Sequence, residues 1–328
     1  NFVYFLQKGC AMDTKQIEYI LKIAEENNIT KAADKLFITQ SALNQQLLKL
    51  EGELGTPLFH RSRSNWRPTE AGEVYIKNAR EILSLKKNTY SQISDIANSR
   101  RGHLSIGFTP GRGINMFTSI YPVFHQKYPD VSVEPVEKSV HELQQMIGES
   151  SLDIAFLTLR PEDYTNDEYI TLVTEEILLA IPSGHPLGAF AAPPGKPLAI
   201  MDLRSLQYEP FVLMDKNSTM RILINDTFKQ FGITPNILFE TRNNNTIIYM
   251  VQTNLCCGLV PSYYAQNSPE GIAFFQLPTH PCWHVTASYK RNAYLNRPAK
   301  LFINMVKEHW NLNPFDRPSR IAQDEERE

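Results

Sequence analysis

Gln40, Ser41, Asn44 and Gln45 stand at i, i+1, i+4 and i+5 within ITQSALNQQLLKLEGELGTPLF, residues 38–59. On a helix this spacing gathers four neutral hydrogen-bonding side chains on one face. Leu43, Leu47, Leu50 and Leu54 fall at i, i+4, i+7 and i+11 and form the opposite stripe, expected to face a core. Gln and Asn amides pair bidentately with adenine, and Ser hydroxyls suit bases or phosphates. A helix N-terminus adds free N–H groups and a positive dipole end, which favour phosphate. A plain solvated helix face has the same look in isolation, so the neighbourhood has to decide.

The neighbourhood is basic. HRSRSNWRPT, residues 60–69, holds His60, Arg61, Arg63 and Arg67 and no acid. Flanked by Leu58–Phe59 and Thr69, it reads as a two-stranded wing or a tight loop. Three arginines in so short a segment suit the phosphate backbone and the minor groove. Trp66 either anchors the segment or lies against a sugar. The whole chain carries a formal net charge of −2, and residues 12–70 hold eight Lys and Arg against eight Asp and Glu. Any attraction for a polyanion is therefore local, centred on the wing.

Three helices must position these groups. Ile17, Ile20, Leu21, Ile23 and Ala24 give the first by their spacing. Thr30 is the expected N-cap of a second, Lys31 to Leu36. The third starts near Gln40 and closes at Gly55. Residues 69–99 contain no Pro and only Gly72, and read as one helix of about 45 Å. Within it Tyr75, Ala79, Ile82, Lys86, Thr89, Ile93 and Ile96 alternate at four and three. That seam predicts pairing with a second copy, the alternative being a helix packed within one subunit.

From His103 the pattern changes to strands and helices in alternation: HLSIGF, VSVEPVE, LDIAFLTL, EILLAIP, PFVLMD, ILFET and HVTASY, with helices near 218–231, 244–254 and 298–311. This predicts βαβ units in two similar lobes, the second beginning near residue 175. Ser139 and Glu142 form a capping box at the end of the second strand. Ligands of such sheets sit beyond the carboxyl ends of the strands. Those ends carry Thr109, Gly111, Arg112, Ser139, Thr158, Asn217, Ser218 and Asn243, suited to a small polar or anionic ligand. Ordinary loop chemistry and helix capping account for any one of them taken singly.

Several classes find no support. No apolar run approaches the roughly 20 residues of a membrane span. The Gly-Arg-Gly at 111–113 lacks the third glycine of a dinucleotide fingerprint, Met116 standing in its place. Asp153 and His141 stand without an assignable partner, so no catalytic residue, metal site or cofactor is expected. Cys10, Cys256, Cys257 and Cys282 form no C-x-x-C pair and suit a reducing cytoplasm; a redox role for the last three is the lesser reading. The segment before Met12 resembles a vector-derived leader, and the charged stretch from Asp316 reads as a frayed tail.

TKAADKLFITQSALNQQLLKLEGELGTPLFHR with the later PTEAGE, residues 30–73, closely resembles the DNA-binding domain of LysR-type transcriptional regulators. YPDVSV, LDIAF, GHPL and HVTASY resemble that family's effector domain more loosely. The resemblance implies an N-terminal all-α winged helix-turn-helix (12–68) and a long linker or dimerisation helix (69–100). It implies next a C-terminal α/β, two-lobed, periplasmic-binding-protein-like effector domain (101–313), with lobe I about 101–174 and 280–313 and lobe II about 175–279. It further implies a double-stranded DNA operator, an effector in the interlobe cleft, RNA polymerase as a partner, homodimers or homotetramers, and a cytoplasmic location.

DNA contacts are then expected from Thr30, Lys31, Gln40, Ser41, Asn44 and Gln45, with Arg61, Arg63 and Arg67 in the wing. Asn44–Gln45 stand where relatives often have Ser-Arg, which implies an operator weighted toward adenine contacts. Asn254 and Cys256 replace the two glycines of a G-x-G, so that turn is expected to be shaped differently. Cys256–Cys257 do not fit the cysteine spacing of the family's peroxide sensors. The competing class is a solute-binding receptor on the same two-lobed fold, without regulatory DNA output.

Overall fold

A computed structural model describes residues 13–62, 65–97, 101–193, 195–266 and 270–312, in two units that divide between Ile96 and Ala97. The leader-like segment, Arg63 and the charged tail lie outside the described residues.

In the N-terminal unit α1 spans Thr14–Glu26, capped by Asp13, whose carboxylate accepts the Lys15 N–H at 3.0 Å. Helix α2 spans Ile29–Lys35, and its cap is Asn28 rather than Thr30. The Asn28 side-chain oxygen accepts the N–H groups of Thr30 (2.9 Å) and Lys31 (3.1 Å). Ile29 is a core residue at 5% exposure, so the helix has to start early enough to carry it inward. Helix α3 spans Gln40–Leu54, capped by Thr39 and ended by Gly55 at φ +73°. Leu43, Leu47 and Leu50 are buried, but Leu54 is 38% exposed. Its expected inner place is taken by Glu51, which is 8% exposed.

The basic segment folds as the expected wing: β1 (Phe59–His60) pairs antiparallel with β2 (Arg67–Pro68). Helix α4, Glu70–Ile96, rises from its base. Thr69 Oγ1 accepts the Gly72 N–H at 3.0 Å and donates to the Pro57 carbonyl at 2.7 Å. A Cβ on Gly72 would lie 2.0 Å from the Leu58 carbonyl oxygen, so only glycine lets the helix sit this close. Tyr75 and Ala79 belong to the unit's own core, with Ile17, Ile20 and Leu47, and Lys86 Nζ donates to Thr14 Oγ1 at 3.1 Å. The front of the expected seam is therefore internal. Ile82, Leu85, Tyr90, Ile93 and Ile96 remain exposed beyond it.

The C-terminal unit is built on one curled sheet. In chain order its elements are β3 (Gly102–Phe108), α5 (Arg112–Lys127), β4 (Val131–Glu137), α6 (Val140–Gly148), β5 (Ile154–Leu159) and β6 (Glu168–Pro182). They continue with β7 (Pro210–Met214), α7 (Thr219–Gln230), β8 (Asn236–Thr241), α8 (Asn244–Gln252), β9 (Cys257–Pro261) and α9 (Tyr263–Gln266). The last are β10 (Ile272–Phe275), β11 (Cys282–Tyr289) and α10 (Arg297–Leu312). The strand order is β4-β3-β5-β11-β6-β9-β7-β8, with β10 also on β6.

The pairs β3–β4, β3–β5, β7–β8 and β7–β9 are parallel, as alternating strands and helices predict, while β11 and β6 pair antiparallel. On β5, Ile154 and Phe156 enter one core with Phe302, and Ala155, Leu157 and Leu159 enter another with Leu143. Both faces of the first lobe's sheet are thus covered, which is why LDIAFLTL reads as a continuous apolar run. The second lobe has its own core around Leu179, Val212, Phe228 and Leu259.

Strand β6 does not stop at a lobe boundary. Residues 168–176 pair with β11, and Ile177–Pro182 pair with β9 and β10. At the turn before β9, Asn254 adopts φ +60°, the left-handed region that asparagine tolerates best after glycine, and Cys256 is buried.

Candidate functional site

The face at the start of α3 is open. Gln40, Ser41 and Gln45 are exposed, and Asn44 is partly so. Ser41 Oγ lies 3.1 Å from Thr39 Oγ1, so the cap residue aligns it. Gln40, Asn44 and Gln45 make no side-chain hydrogen bond within the described residues. Leu43 and Leu47 behind them are fully buried, so the polar face cannot rotate inward. Thr30 and Lys31 are exposed on the preceding helix.

In the wing the expected cations diverge. Arg67 is exposed. Arg61 turns back onto α3, where its guanidinium donates to Glu51 Oε2 and lies 5.8 Å from the Trp66 ring centroid. Trp66 is an anchor: its backbone N–H donates to the Asn27 carbonyl at 2.8 Å and its ring is 6.1 Å from that of Phe59.

In the sensor unit the candidate residues all fall after the carboxyl ends of parallel strands or on those ends. Thr109, Gly111 and Arg112 follow β3, Ser139 follows β4, Thr158 is on β5, Asn217 and Ser218 follow β7, and Asn243 follows β8. Four of the eight, Arg112, Ser139, Ser218 and Asn243, have side chains that already work within the fold. Ser139 Oγ donates to Glu142 Oε2 at 2.7 Å and accepts the Glu142 N–H, completing the expected capping box. The Ser139 hydroxyl and N–H, with Lys138, hold the Glu142 carboxyl down at about 2. Ser218 caps α7 and Asn243 caps α8. Asp153 also has a partner: it accepts the Ser105 N–H at 2.9 Å and the Ser105 hydroxyl at 3.0 Å.

Arg112 is the most heavily engaged. Its Nη1 donates to Glu175 Oε2 at 2.5 Å, and its guanidinium lies 4.6 Å from the Tyr263 ring and 5.3 Å from that of Trp310. Glu175 is 3% exposed and also accepts the Trp283 indole N–H at 2.8 Å. This one cluster joins α5 of the first lobe, the strands β6 and β11, and Tyr263 of the second lobe. Burial pushes the Tyr263 hydroxyl well above its usual range, and burial with Arg112 nearby lowers His309. A second bridge runs from Arg160, after β5, to Asp226 of α7 at 3.2 Å. The neighbouring Glu176 is buried too; it accepts from Gln276 Nε2 at 2.8 Å and lies 2.8 Å from His280 Nδ1.

Glu175, Glu176, Tyr263, Trp283 and Arg160 were not evident as site residues from spacing. The available signal was two adjacent acids inside the apolar run TLVTEEILLAIP. Cys256 and Cys257 are buried, and burial raises both thiols, Cys257 to about 12. Such thiols are poor nucleophiles.

Comparison with known proteins agrees with the geometry. Residues 14–73 match the family described as bacterial regulatory helix-turn-helix protein, lysR family, and residues 97–311 match the LysR substrate binding domain. The HTH-type transcriptional regulator YcgK of Bacillus subtilis is 28% identical over 309 residues, 90% of this chain and 94% of that protein. The HTH-type transcriptional regulator BudR of Raoultella terrigena is 34% identical over 183 residues, 55% of this chain and 63% of that protein. A full-length OxyR variant from Pseudomonas aeruginosa has the same fold, with a TM-score of 0.67 at 21% identity over 91% of this chain and 94% of that one. CbnR complexed with its target DNA gives 0.52 at 21% identity over 90% and 99%. An open polar face on a helix-turn-helix, a wing and a two-lobed sensor, matched along both units, place this chain in the LysR family: it is a transcriptional regulator that joins a helix-turn-helix DNA-binding domain to an effector-binding domain.

Proposed function

We propose that Gln40, Ser41, Asn44 and Gln45 read base edges in the major groove of an operator. The observation that supports this most is that Gln40, Asn44 and Gln45 carry amide groups with no partner within the fold, on a helix fixed by buried leucines. Thr30, Lys31 and Arg67 are exposed and suit phosphate, as does Arg63 by its charge alone. The exposed apolar side chains of α4 from Ile82 to Ile96 pair with a second copy, so that two recognition helices meet two half-sites. No helix among the described residues is long and apolar enough to cross a membrane, and the setting is the cytoplasm, where operator and RNA polymerase are found.

The effector is a small polar or anionic molecule held between the lobes, near Thr109, Thr158, Asn217 and the capped helix starts at Ser139, Ser218 and Asn243. An anion reaching Arg112 has to compete with Glu175. Binding favours one lobe arrangement and re-angles the linker helices, a population shift that alters half-site spacing or DNA bending.

The test is selection of duplexes from a randomised library by the full chain, followed by footprinting of the recovered sequence with wild-type protein and Gln45→Ala. Recovery of a two-half-site sequence, with protection lost at specific adenines in the variant, is the expected result. A variant that binds every operator variant as the wild type does would count against the assignment.

A further inference from the structure

Arg61 and Glu51 together form a tie between the recognition helix and the wing. Glu51 lies on α3 two turns after Asn44, beside the buried leucines, and is 8% exposed. Its two oxygens go to the residues on either side of the wing's first strand: Oε1 accepts the Leu58 N–H at 2.8 Å, and Oε2 accepts the Arg61 guanidinium. The same guanidinium lies over Trp66, which is fastened to the end of α1 through the Asn27 carbonyl. One carboxylate therefore touches the wing where it leaves the helix and, through Arg61 and Trp66, where it returns. A planar guanidinium can hold a carboxylate by its edge while stacking its face on a ring, a geometry that an ammonium does not reproduce. Its charge is moreover matched by a nearly buried acid, so it adds little to the attraction for phosphate.

We propose that Glu51 and Arg61 are positioning residues for DNA recognition. They set the angle of the wing, and hence the reach of Arg67, relative to the base-reading face of α3, and Arg61 is not itself a phosphate contact. This rests on the reading of α3 and the wing as the DNA surface.

The two roles predict opposite signs. If Arg61 grips phosphate, Glu51→Gln removes a competing negative charge, so binding strengthens or stays the same. If the pair positions the wing, the same substitution weakens binding despite the more favourable charge. The probe is the duplex recovered by the wild-type full chain from a randomised library, with affinity measured over a salt series and with hydroxyl-radical footprints. Glu51→Gln is expected to bind roughly tenfold more weakly, with a salt slope shallower by about 1, the loss of one or so wing contacts. Protection is lost on the flanks reached by the wing and kept over the bases under α3, a pattern that general destabilisation does not produce.

Arg61→Lys keeps the charge and decides the matter if Glu51→Gln does not fold: wing protection is lost under the positioning role and kept under phosphate contact. Combining the two changes is expected to cost no more than either alone. Wild-type or tighter binding by Glu51→Gln, or a wild-type footprint from Arg61→Lys, overturns the proposal. A wild-type chain that recovers no duplex sinks the DNA-surface reading, and the positioning role with it.

Discussion

The polar face of α3 and the strand ends of the sensor are made of the same residue types and are used differently. On α3 the amides of Gln40, Asn44 and Gln45 point outward without internal partners. At the sensor's strand ends, Ser139, Ser218 and Asn243 cap helices, and Arg112 is bound to Glu175. A surface that reads a fixed partner is best left with its hydrogen-bonding capacity unfilled. Where the groups are already paired, as with Arg112 and Glu175, a ligand can act by shifting which pairs form. The contrast teaches that polarity at a helix start is a weak guide to contact, and that the internal partner decides.

The largest break in this contrast is expected at Glu175. Glu175→Ala removes the buried carboxylate shared by Arg112 and Trp283, which costs on the order of 3–5 kcal/mol. Urea unfolding followed by the fluorescence of Trp283 and Trp310, both beside the cluster, measures it. An unfolding midpoint equal to the wild type's would show the cluster to be incidental. On the DNA side, Gln45→Ala is expected to lose about 1–3 kcal/mol of discrimination at an adenine while leaving stability within about 0.5 kcal/mol. Competition binding with single-base operator variants, beside a melting curve, reports both. Substitution of an unpartnered side chain should thus cost binding, and that of a paired one should cost folding.

A smaller effect separates cap from contact within the N-terminal unit. Asn28→Ala removes the acceptor of two N–H groups and is expected to cost about 1 kcal/mol of stability, whereas Thr30→Ala costs less. Parallel thermal unfolding of the two variants settles which residue starts α2. The smallest effect is at Glu142. Its pKa is about 2, held there first by the Ser139 hydroxyl, so its contribution to stability is present above its ordinary pKa of 4.5 and is lost as pH falls toward 2. Ser139→Ala is expected to return this carboxyl toward the ordinary carboxylate range, as followed by NMR titration of the full chain.

Much of the fold was legible because apolar spacing reports burial directly. The leucine stripe of α3, the long helix and the βαβ alternation follow from period, and the wing from a basic run between apolar flanks. Where the sequence misled, a tertiary partner had overridden a local rule. Leu54 fits the stripe but yields its inner place to Glu51, because the turn into the wing needs an acceptor for the Leu58 N–H. Asn28 displaces Thr30 as a cap because Ile29 is required in the core. Strands β9 and β10, CGLVP and IAFF, are not among the strands read from the sequence. The Arg112 cluster was hidden because its members lie far apart in the chain: Trp283 and Glu175 are separated by 108 residues.

The order β5-β11-β6 has a consequence for how the protein is made. Strand β11 fills the gap between two strands that leave the ribosome long before it does. Until it arrives, β5 and β6 each present an unpaired edge, the kind of template that invites pairing with another chain. The second lobe's strands β7 to β10 emerge earlier and can assemble while the first lobe waits. Domains fold as units during synthesis, N-terminal first. The expected order is therefore DNA-binding unit, second lobe, then closure of the first lobe by β11 and α10. The lobe that begins first is finished last, and a nascent chain stalled before residue 282 would be the form most exposed to aggregation.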